Sequence, residues 1–214
     1  EPYAAENWSE QEKTYAAMVT RLDTYVGRIL EKLRETGLEE NTLVFFTSDN
    51  GFTYTFPAFD STGGLRGGKG QVYEGGIRVP MIARWPGRIQ PGSRSDFLWT
   101  FWDVMPTLAE LTGVRSIPRQ CDGISILPTL MGRPQKAPER MLYWESPGRR
   151  LQQAVRMGRW KAVRQGIEAP LELYDLERDP GETRDVAASH AEIVRRIEAY
   201  LREARTDSPH YPAS

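Results

Sequence analysis

The sequence contains one cysteine, no excess of charge of either sign and no long apolar run, and each absence excludes a class of protein. With only Cys121 among 214 residues, neither an internal disulfide nor a cysteine-rich zinc site can form. Lys and Arg total 28 against 29 Asp and Glu, and this net charge of −1 argues against a general nucleic-acid binder. No apolar run approaches the roughly 18 residues that a membrane-spanning helix needs. The remaining composition, 39% hydrophobic and 27% charged, is typical of a globular protein.

The N-terminal segment combines a long amphipathic helix with a buried strand. Ser9 and, three positions later, Glu12 form a capping-box pattern, and apolar residues then recur with a 3.6-residue period, so we predict a helix over residues 10–36. The continuous apolar run at residues 43–46 predicts a strand that is covered on both faces. A helix, a short turn and a buried strand form an α/β unit, which favours a mainly parallel sheet with flanking helices.

A polar doublet and a glycine-rich loop follow this strand. Asp49 and Asn50 lie just past its carboxyl end, where open α/β sheets usually bind ligands. Residues 52–78 are rich in glycine and show no sustained periodicity, and a loop this long inside a compact domain is more often functional than idle. A second buried strand over residues 79–85 and a helix over residues 103–111 follow.

The pattern changes after a connection that is rich in Pro, Gly and Arg. Short strand candidates, with a tight reversal at Gly158, precede a helix for which Ser189 and Glu192 predict a capping box. The predicted buried stripe of this helix consists of Ile193, Ile197, Tyr200 and Leu201. The four strand candidates are residues 141–145, 152–157, 160–164 and 171–174. We therefore predict an α/β core over residues 1–135 and a small subdomain of antiparallel sheet plus helix over residues 136–214.

Asp49 and Asn50 are candidate metal ligands. Their adjacent carboxylate and amide oxygens are hard donors suited to Ca²⁺ or Mg²⁺. A Ser-Asp-Asn-Gly turn is the alternative, since the same residues cap and turn well. The residue types alone favour the turn, whereas the position at the end of a buried strand favours a site, and both interpretations stay open.

Lys69 is a candidate anion ligand in the segment Arg-Gly-Gly-Lys-Gly. Glycines let the backbone approach an anion closely and the ammonium group supplies a point charge, but the spacing of a P-loop is absent. On composition alone, a flexible turn with a solvated lysine is the better interpretation. Glu74 and Arg78 are better explained as structural ion pairs that fix the exit of the loop than as site residues.

No nucleophile accompanies these candidate ligands. Cys121 has no histidine nearby in sequence that could activate its thiol, so we interpret it as structural. No Gly-x-Ser-x-Gly elbow occurs either. Spacing alone therefore predicts a candidate divalent-cation and anion site without a nucleophile.

Six short motifs run in order along nearly the whole chain. They are Thr-Ser-Asp-Asn-Gly at 47–51, Leu-Arg-Gly-Gly-Lys-Gly at 65–70, Glu-Gly-Gly-Ile-Arg-Val-Pro at 74–80, Asp-Val-Met-Pro-Thr-Leu at 103–108, Asp-Gly-Ile-Ser-Ile-Leu-Pro at 122–128 and Glu-Leu-Tyr-Asp-Leu-Glu-Arg-Asp-Pro-Gly-Glu-Thr at 172–183. Each motif is weak alone. Together, the chain strongly resembles the C-terminal portion of the sulfatases, within the alkaline phosphatase superfamily.

The resemblance implies an alkaline-phosphatase-like fold and hydrolysis of sulfate esters of a carbohydrate or an aryl alcohol. In the family, a formylglycine attacks sulfur while a divalent cation, usually Ca²⁺, holds the sulfate. Asp49 and Asn50 match two of the metal ligands, and Lys69 matches a catalytic lysine that contacts the substrate sulfate. A cation and an ammonium group would stabilise the negative charge that builds on oxygen in the transition state.

The chain departs from the family pattern because the nucleophile is missing. The modification motif, Cys or Ser followed by x-Pro-x-Arg, does not occur, and Cys121 is followed by Asp-Gly-Ile-Ser. The N-terminal pair of aspartate ligands and the active-site histidines are also missing, and two ligands fall short of the roughly six to eight oxygens that Ca²⁺ prefers. We therefore expect residues 1–214 to be a C-terminal piece of a larger sulfatase, with the missing N-terminal half as its partner and the site of the formylglycine.

Two alternatives stay open. A phosphonate monoester or phosphodiester hydrolase would share much of this scaffold, and a non-catalytic module derived from a sulfatase would keep the fold without activity. The exposed edge of a half-sheet argues against such a module, because unpaired edges invite aggregation. The resemblance implies a sulfated small molecule or carbohydrate as partner, with no nucleic acid and no membrane span, and a periplasmic, secreted or lysosomal setting that the sequence itself does not show.

Overall fold

The computed structural model describes residues 2–114, 121–147, 150–206 and 208–210. The helices and strands, in chain order, are α1 (Glu10–Glu35), β1 (Val44–Thr47), α2 (Glu74–Ile77), β2 (Met81–Arg84), α3 (Val104–Thr112), α4 (Leu127–Leu130), β3 (Met141–Ser146), β4 (Gln152–Met157), β5 (Trp160–Gln165), β6 (Glu172–Asp175) and α5 (Ala191–Ala204). None of the described helices is long and apolar enough to cross a bilayer.

These elements group into two compact units. The first unit comprises Glu1–Phe46 and Met81–Pro138, and the second comprises Thr47–Pro80 and Glu139–Ser214. The predicted boundary after residue 135 falls close to the break at Pro138, but the segment that carries Asp49, Asn50 and Lys69 belongs with the C-terminal sheet. The candidate site residues therefore all lie in the second unit.

Helix α1 of the first unit forms as the sequence predicts. The Ser9 hydroxyl accepts a hydrogen bond from the Glu12 amide (3.3 Å), and the Glu12 carboxylate accepts one from the Ser9 amide (2.8 Å). This reciprocal arrangement satisfies two of the backbone donors that every helix N-terminus leaves unpaired. The helix ends at Glu35, just before Gly37, which takes a positive φ of 69°.

The apolar face of α1 is exposed, and so are other apolar surfaces of the first unit. Met18 is 64% exposed, Ile29 on the same helix 59%, and Ile82 in β2 61%. Among the residues that the structure describes, every exposed large hydrophobic residue except Tyr54 belongs to the first unit. Strand β1 is half-buried along its length and β2 exposes Ile82, so the prediction of two buried early strands, the first covered on both faces, is wrong for this chain. An apolar pattern shows which face is suited to burial, and the described residues supply no layer that covers these faces.

The described residues do not show a mainly parallel sheet. Strands β1 and β2 form a two-stranded sheet, and the remaining four strands form a separate antiparallel sheet in the order β3-β4-β5-β6. The predicted antiparallel sheet of the C-terminal region is thus confirmed. The predicted reversal at Gly158 is also confirmed, since this residue takes a φ of +58° in the turn between β4 and β5.

The antiparallel sheet buries apolar residues on both faces. One face packs against α5 through Ile197 and Leu201, and these two residues confirm the predicted buried stripe of that helix. The other face, which includes Ala154, Val163 and Tyr174, packs against Val72 and Tyr73 of the glycine-rich segment. The second unit therefore has its own core, and part of the candidate loop is built into it.

Two local predictions were wrong. Helix α5 begins after His190 without a side-chain cap, and Ser189 lies instead in a short 3₁₀ turn, so the predicted capping box with Glu192 does not form. The segment predicted as an irregular loop contains α2. A capping motif fixes a helix start only when the backbone before the helix is extended, and the preceding turn removes that condition here.

Matched leucine truncations test the contrast between the two units. Leu173 is fully buried in the second unit, whereas Leu22 on α1 is 51% exposed. We expect Leu173→Ala to lower the free energy of unfolding of this chain by about 2–5 kcal/mol, and Leu22→Ala to change it by less than about 0.5 kcal/mol, in urea titrations. An equal loss for both variants would show that α1 is buried in the isolated chain.

Candidate functional site

Asp49 and Asn50 lie in the turn that follows β1. The Ser48 hydroxyl donates to the backbone carbonyl of Asn50 at 2.7 Å, so the turn interpretation of this segment is correct for the backbone. Asp49 is exposed and Asn50 is half-buried. Within the described residues, neither side chain forms a hydrogen bond or an ion pair, and both retain oxygen atoms that could bind a ligand.

Gly51, the last residue of this turn, contacts the end of the glycine-rich segment. Its amide donates to the carbonyl of Gly76 at 2.9 Å. A Cβ atom at Gly51 would lie 1.8 Å from the Gly75 carbonyl oxygen, so no other residue fits without moving one of the two segments. The turn with Asp49 is therefore attached directly to the start of α2.

Lys69 lies next to the same turn through its backbone. The Lys69 amide donates to the carbonyl of Phe52 at 2.8 Å. Its side chain is exposed and forms no ion pair among the residues that the structure describes. The fold thus brings the segments that carry Asp49, Asn50 and Lys69 together, and the roles of the three side chains stay predictions.

A buried ion cluster holds the far end of the loop. The Lys161 ammonium of β5 lies 2.9 Å from a carboxylate oxygen of Glu74 and 2.9 Å from one of Glu182. The side chains of Lys161 and Glu182 are 0% exposed, and that of Glu74 is 2% exposed. The second Glu182 oxygen accepts the Glu74 amide at 2.7 Å. Arg156 and Arg78 approach Glu74 at 3.5 and 3.7 Å, which confirms that Glu74 and Arg78 are structural ion-pair residues.

Sequence analysis missed Lys161 and Glu182. The one local signal is a lysine in the middle of a strand whose neighbours, Ala162 and Val163, are apolar and fully buried. Glu182 takes a φ of +53°, which is uncommon for a residue other than glycine. No periodicity or spacing in the sequence predicts this backbone angle or the burial of the side chain. Burial raises the pKa of the Glu182 carboxyl above its usual value, because desolvation outweighs the opposing attraction of Lys161.

A second cluster holds the near end of the loop. The Arg66 guanidinium lies 3.9 Å from the centre of the Tyr73 ring and donates to the Tyr174 hydroxyl at 2.7 Å. Both tyrosine hydroxyls donate to one oxygen of Glu172, at 2.7 and 2.6 Å. Burial, together with this hydrogen bond, raises the pKa of Tyr73 to about 12. Tyr73 therefore stays a neutral donor across the physiological range.

The donor set fits part of a hard-cation site. Asp49 and Asn50 supply a carboxylate and an amide oxygen, which suit Ca²⁺ or Mg²⁺. Within the described residues, no group of three or more His, Cys, Asp or Glu side chains is arranged to hold a metal ion. The further oxygens that such a cation needs would have to come from outside these residues.

Comparison with known proteins identifies the class. The family model described as Sulfatase matches residues 1–114, and the model described as N-sulphoglucosamine sulphohydrolase, C-terminal, matches residues 68–207. The chain is 34% identical to human arylsulfatase A over 217 residues, which cover 87% of this chain and 42% of that relative. The chain belongs to the sulfatase family.

Solved structures agree with this assignment. The structure of Ps i-CgsB superposes with a TM-score of 0.80 at 30% identity, over 98% of this chain and 47% of that one, and it has also been solved with k-i-k-neocarrahexaose. Phosphonate monoester hydrolase of Agrobacterium radiobacter superposes with a TM-score of 0.68 at 26% identity, over 92% of this chain and 42% of that one. The chain thus spans less than half the length of each of these relatives.

Removing the buried ammonium group tests the ion cluster. We expect Lys161→Met to lower the free energy of unfolding by about 3–5 kcal/mol at pH 7, because two buried carboxylates then face each other without their shared cation. The loss should shrink as the pH falls from 7 to 5. The attraction of Lys161 opposes the rise of the Glu182 pKa that burial causes, so its removal raises that pKa further in the folded state, and a raised carboxyl pKa favours folding at low pH. Urea titrations at several pH values measure both effects.

The control for this experiment is the double variant Lys161→Met/Glu182→Gln. It removes one of the two carboxylates, so we expect a smaller loss at pH 7 and a weaker dependence on pH than in the single variant. Arg78 and Arg156 remain beside Glu74 in both variants. An equal, pH-independent loss in both would show that packing, and not charge, explains the role of Lys161.

Proposed function

We propose that this chain is the C-terminal portion of a sulfuric ester hydrolase that cleaves sulfate esters of a carbohydrate or an aryl alcohol. The family match supports the reaction class. The observation that supports the site is the hydrogen bond from the Lys69 backbone amide to the Phe52 carbonyl, since it joins the backbone of an exposed lysine to the residue that follows the Asp49–Gly51 turn. A polar doublet and an exposed lysine on adjoining segments suit a tetrahedral anion bound with a metal ion.

Asp49 and Asn50 would hold a divalent cation, Ca²⁺ or Mg²⁺, through side-chain oxygens. When bound, the cation supplies a Lewis acid that draws negative charge from the sulfate oxygens. The Lys69 ammonium would hold another sulfate oxygen, and no carboxylate of the described residues pairs with it and weakens its field. Because the charge on these oxygens grows in the transition state, a fixed ammonium group stabilises it more than the ground state.

The nucleophile would lie outside this chain. The formylglycine motif does not occur in residues 1–214, so an N-terminal half would contribute the formylglycine and the remaining metal ligands. The exposed apolar faces of α1, β2 and α3 support such a partner, because uncovered apolar surface of this extent is typical of an interface. The same faces count against a non-catalytic module that works alone, although the second unit has a core of its own.

A phosphonate monoester or phosphodiester hydrolase is the second candidate. The similarity to phosphonate monoester hydrolase supports it, and a tetrahedral phosphorus centre would use the same three side chains. The similarity to Ps i-CgsB, also solved with k-i-k-neocarrahexaose, supports a carbohydrate substrate, and the match to the Sulfatase family model supports the sulfatase proposal. Rates of the intact gene product on a sulfate and a phosphate ester of the same alcohol separate the two, and a preference of several orders of magnitude for phosphate would overturn the sulfatase proposal.

Substitution of Lys69 tests its role in the intact gene product. We expect Lys69→Ala to lower kcat for 4-nitrophenyl sulfate about 10²- to 10³-fold, because a charged donor to the transition state is lost. Lys136→Ala is the matched control, since Lys136 is also an exposed lysine and lies in the first unit. Equal activity of the two variants would show that Lys69 does not contribute to catalysis.

The isolated 214-residue chain provides a further test. We expect no turnover of 4-nitrophenyl sulfate by this chain alone, with or without added Ca²⁺, because the nucleophile motif and most metal ligands are absent from its sequence. The measurement is a discontinuous assay of released 4-nitrophenol, with chain identity checked by intact mass. Robust turnover would show that residues 1–214 carry a complete catalytic site.

A further inference from the structure

We propose that Ser146 and Gln152 are positioning residues that fix the backbone of Lys69 for catalysis. The inference rests on the proposed role of Lys69 as a sulfate ligand. Both residues belong to the antiparallel sheet, Ser146 to β3 and Gln152 to β4, and they are direct cross-strand partners at the end of that pair. No motif in the sequence points to either of them.

The contact is made at the carbonyl group of Gly70. The Ser146 hydroxyl donates to this oxygen at 2.9 Å, and the side-chain nitrogen Nε2 of Gln152 donates to the same oxygen at 3.2 Å. Gly70 immediately follows Lys69 and takes a φ of +82°. Glycine has few steric limits on its backbone angles, so hydrogen bonds from neighbouring residues are needed to hold it in one conformation. Two donors on one carbonyl oxygen restrict the rotation of that peptide group more than a single donor would.

The backbone of Lys69 is therefore held on both sides. Its own amide donates to Phe52 at 2.8 Å, and the carbonyl of the next residue is bound by Ser146 and Gln152. The lysine side chain stays exposed. A long, flexible ammonium side chain loses conformational entropy when it binds an anion, so a fixed backbone reduces the part of that loss that falls on the main chain.

The arrangement also explains why a loop so rich in glycine can carry a catalytic group. The buried cluster around Glu74 and the contacts of Arg66 hold the two ends of residues 66–74, but neither contacts the middle. In the middle of this segment, the Lys69 amide donates to Phe52 and the Gly68 amide donates to the side chain of Gln71. Ser146 and Gln152 add the contact at Gly70, from the sheet on which Tyr73 packs.

A double-mutant cycle with Lys69 separates positioning from general stability. In the intact gene product, we expect Gln152→Leu to lower kcat/KM for 4-nitrophenyl sulfate about tenfold, with kcat carrying most of the loss. In the Lys69→Ala background, the same substitution should change kcat/KM less than twofold, because its effect acts through Lys69. Ser146→Ala should behave in the same way, and Ser146→Thr, which keeps the hydroxyl, should restore activity. Gln90→Leu, at an exposed glutamine of the first unit, is the control.

Equal losses from Gln152→Leu in both backgrounds, or no loss in the enzyme with Lys69 intact, would overturn the positioning role. An enzyme in which Lys69→Ala itself costs nothing would instead overturn the proposed function. Hydrogen exchange in the isolated chain keeps the two outcomes distinct, because it requires no activity. We expect Gln152→Leu to speed exchange of the Lys69 amide at least tenfold, and unchanged exchange there would overturn the inference by itself.

Discussion

One buried ammonium group shared by two buried carboxylates is the interaction on which the candidate site depends. Charges removed from water are costly unless their geometry is nearly ideal, so Lys161, Glu74 and Glu182 tolerate few arrangements. Because Glu74 opens α2, this requirement sets where Gly75 and Gly76 lie, and the turn with Asp49 is attached to them. The position of a surface carboxylate thus follows from a charge balance inside the protein.

The two units differ in how far their apolar residues are buried. This difference agrees with the share of the relatives' length that the chain spans. The second unit surrounds its sheet with apolar contacts on both faces and contains Asp49, Asn50 and Lys69, the three candidate site residues of this chain. The first unit exposes apolar residues of α1, α3 and β2. The chain spans less than half the length of these relatives, and the proposed N-terminal half would supply the layers that cover such faces.

Sequence reasoning succeeded where the physical cause is local. Periodicity and turn residues located α1, the four C-terminal strands and the buried stripe of α5. The resemblance to sulfatases singled out Asp49, Asn50 and Lys69, and the roles of these three side chains stay predictions. Long-range features were not predictable in this way. Glu74 and Lys161 are 87 positions apart, and the exposure of Ile82 depends on what covers its strand. The predicted capping box of α5 was wrong for a local reason, since Ser189 belongs to a 3₁₀ turn and does not cap the helix.

The most direct measurement is a crystal structure of the intact gene product with Ca²⁺ and inorganic sulfate. We expect side-chain oxygens of Asp49 and Asn50 at about 2.3–2.6 Å from the cation. We also expect the Lys69 ammonium within about 3 Å of a sulfate oxygen. A cation bound elsewhere, or a Lys69 side chain directed away from the sulfate, would contradict the proposed site.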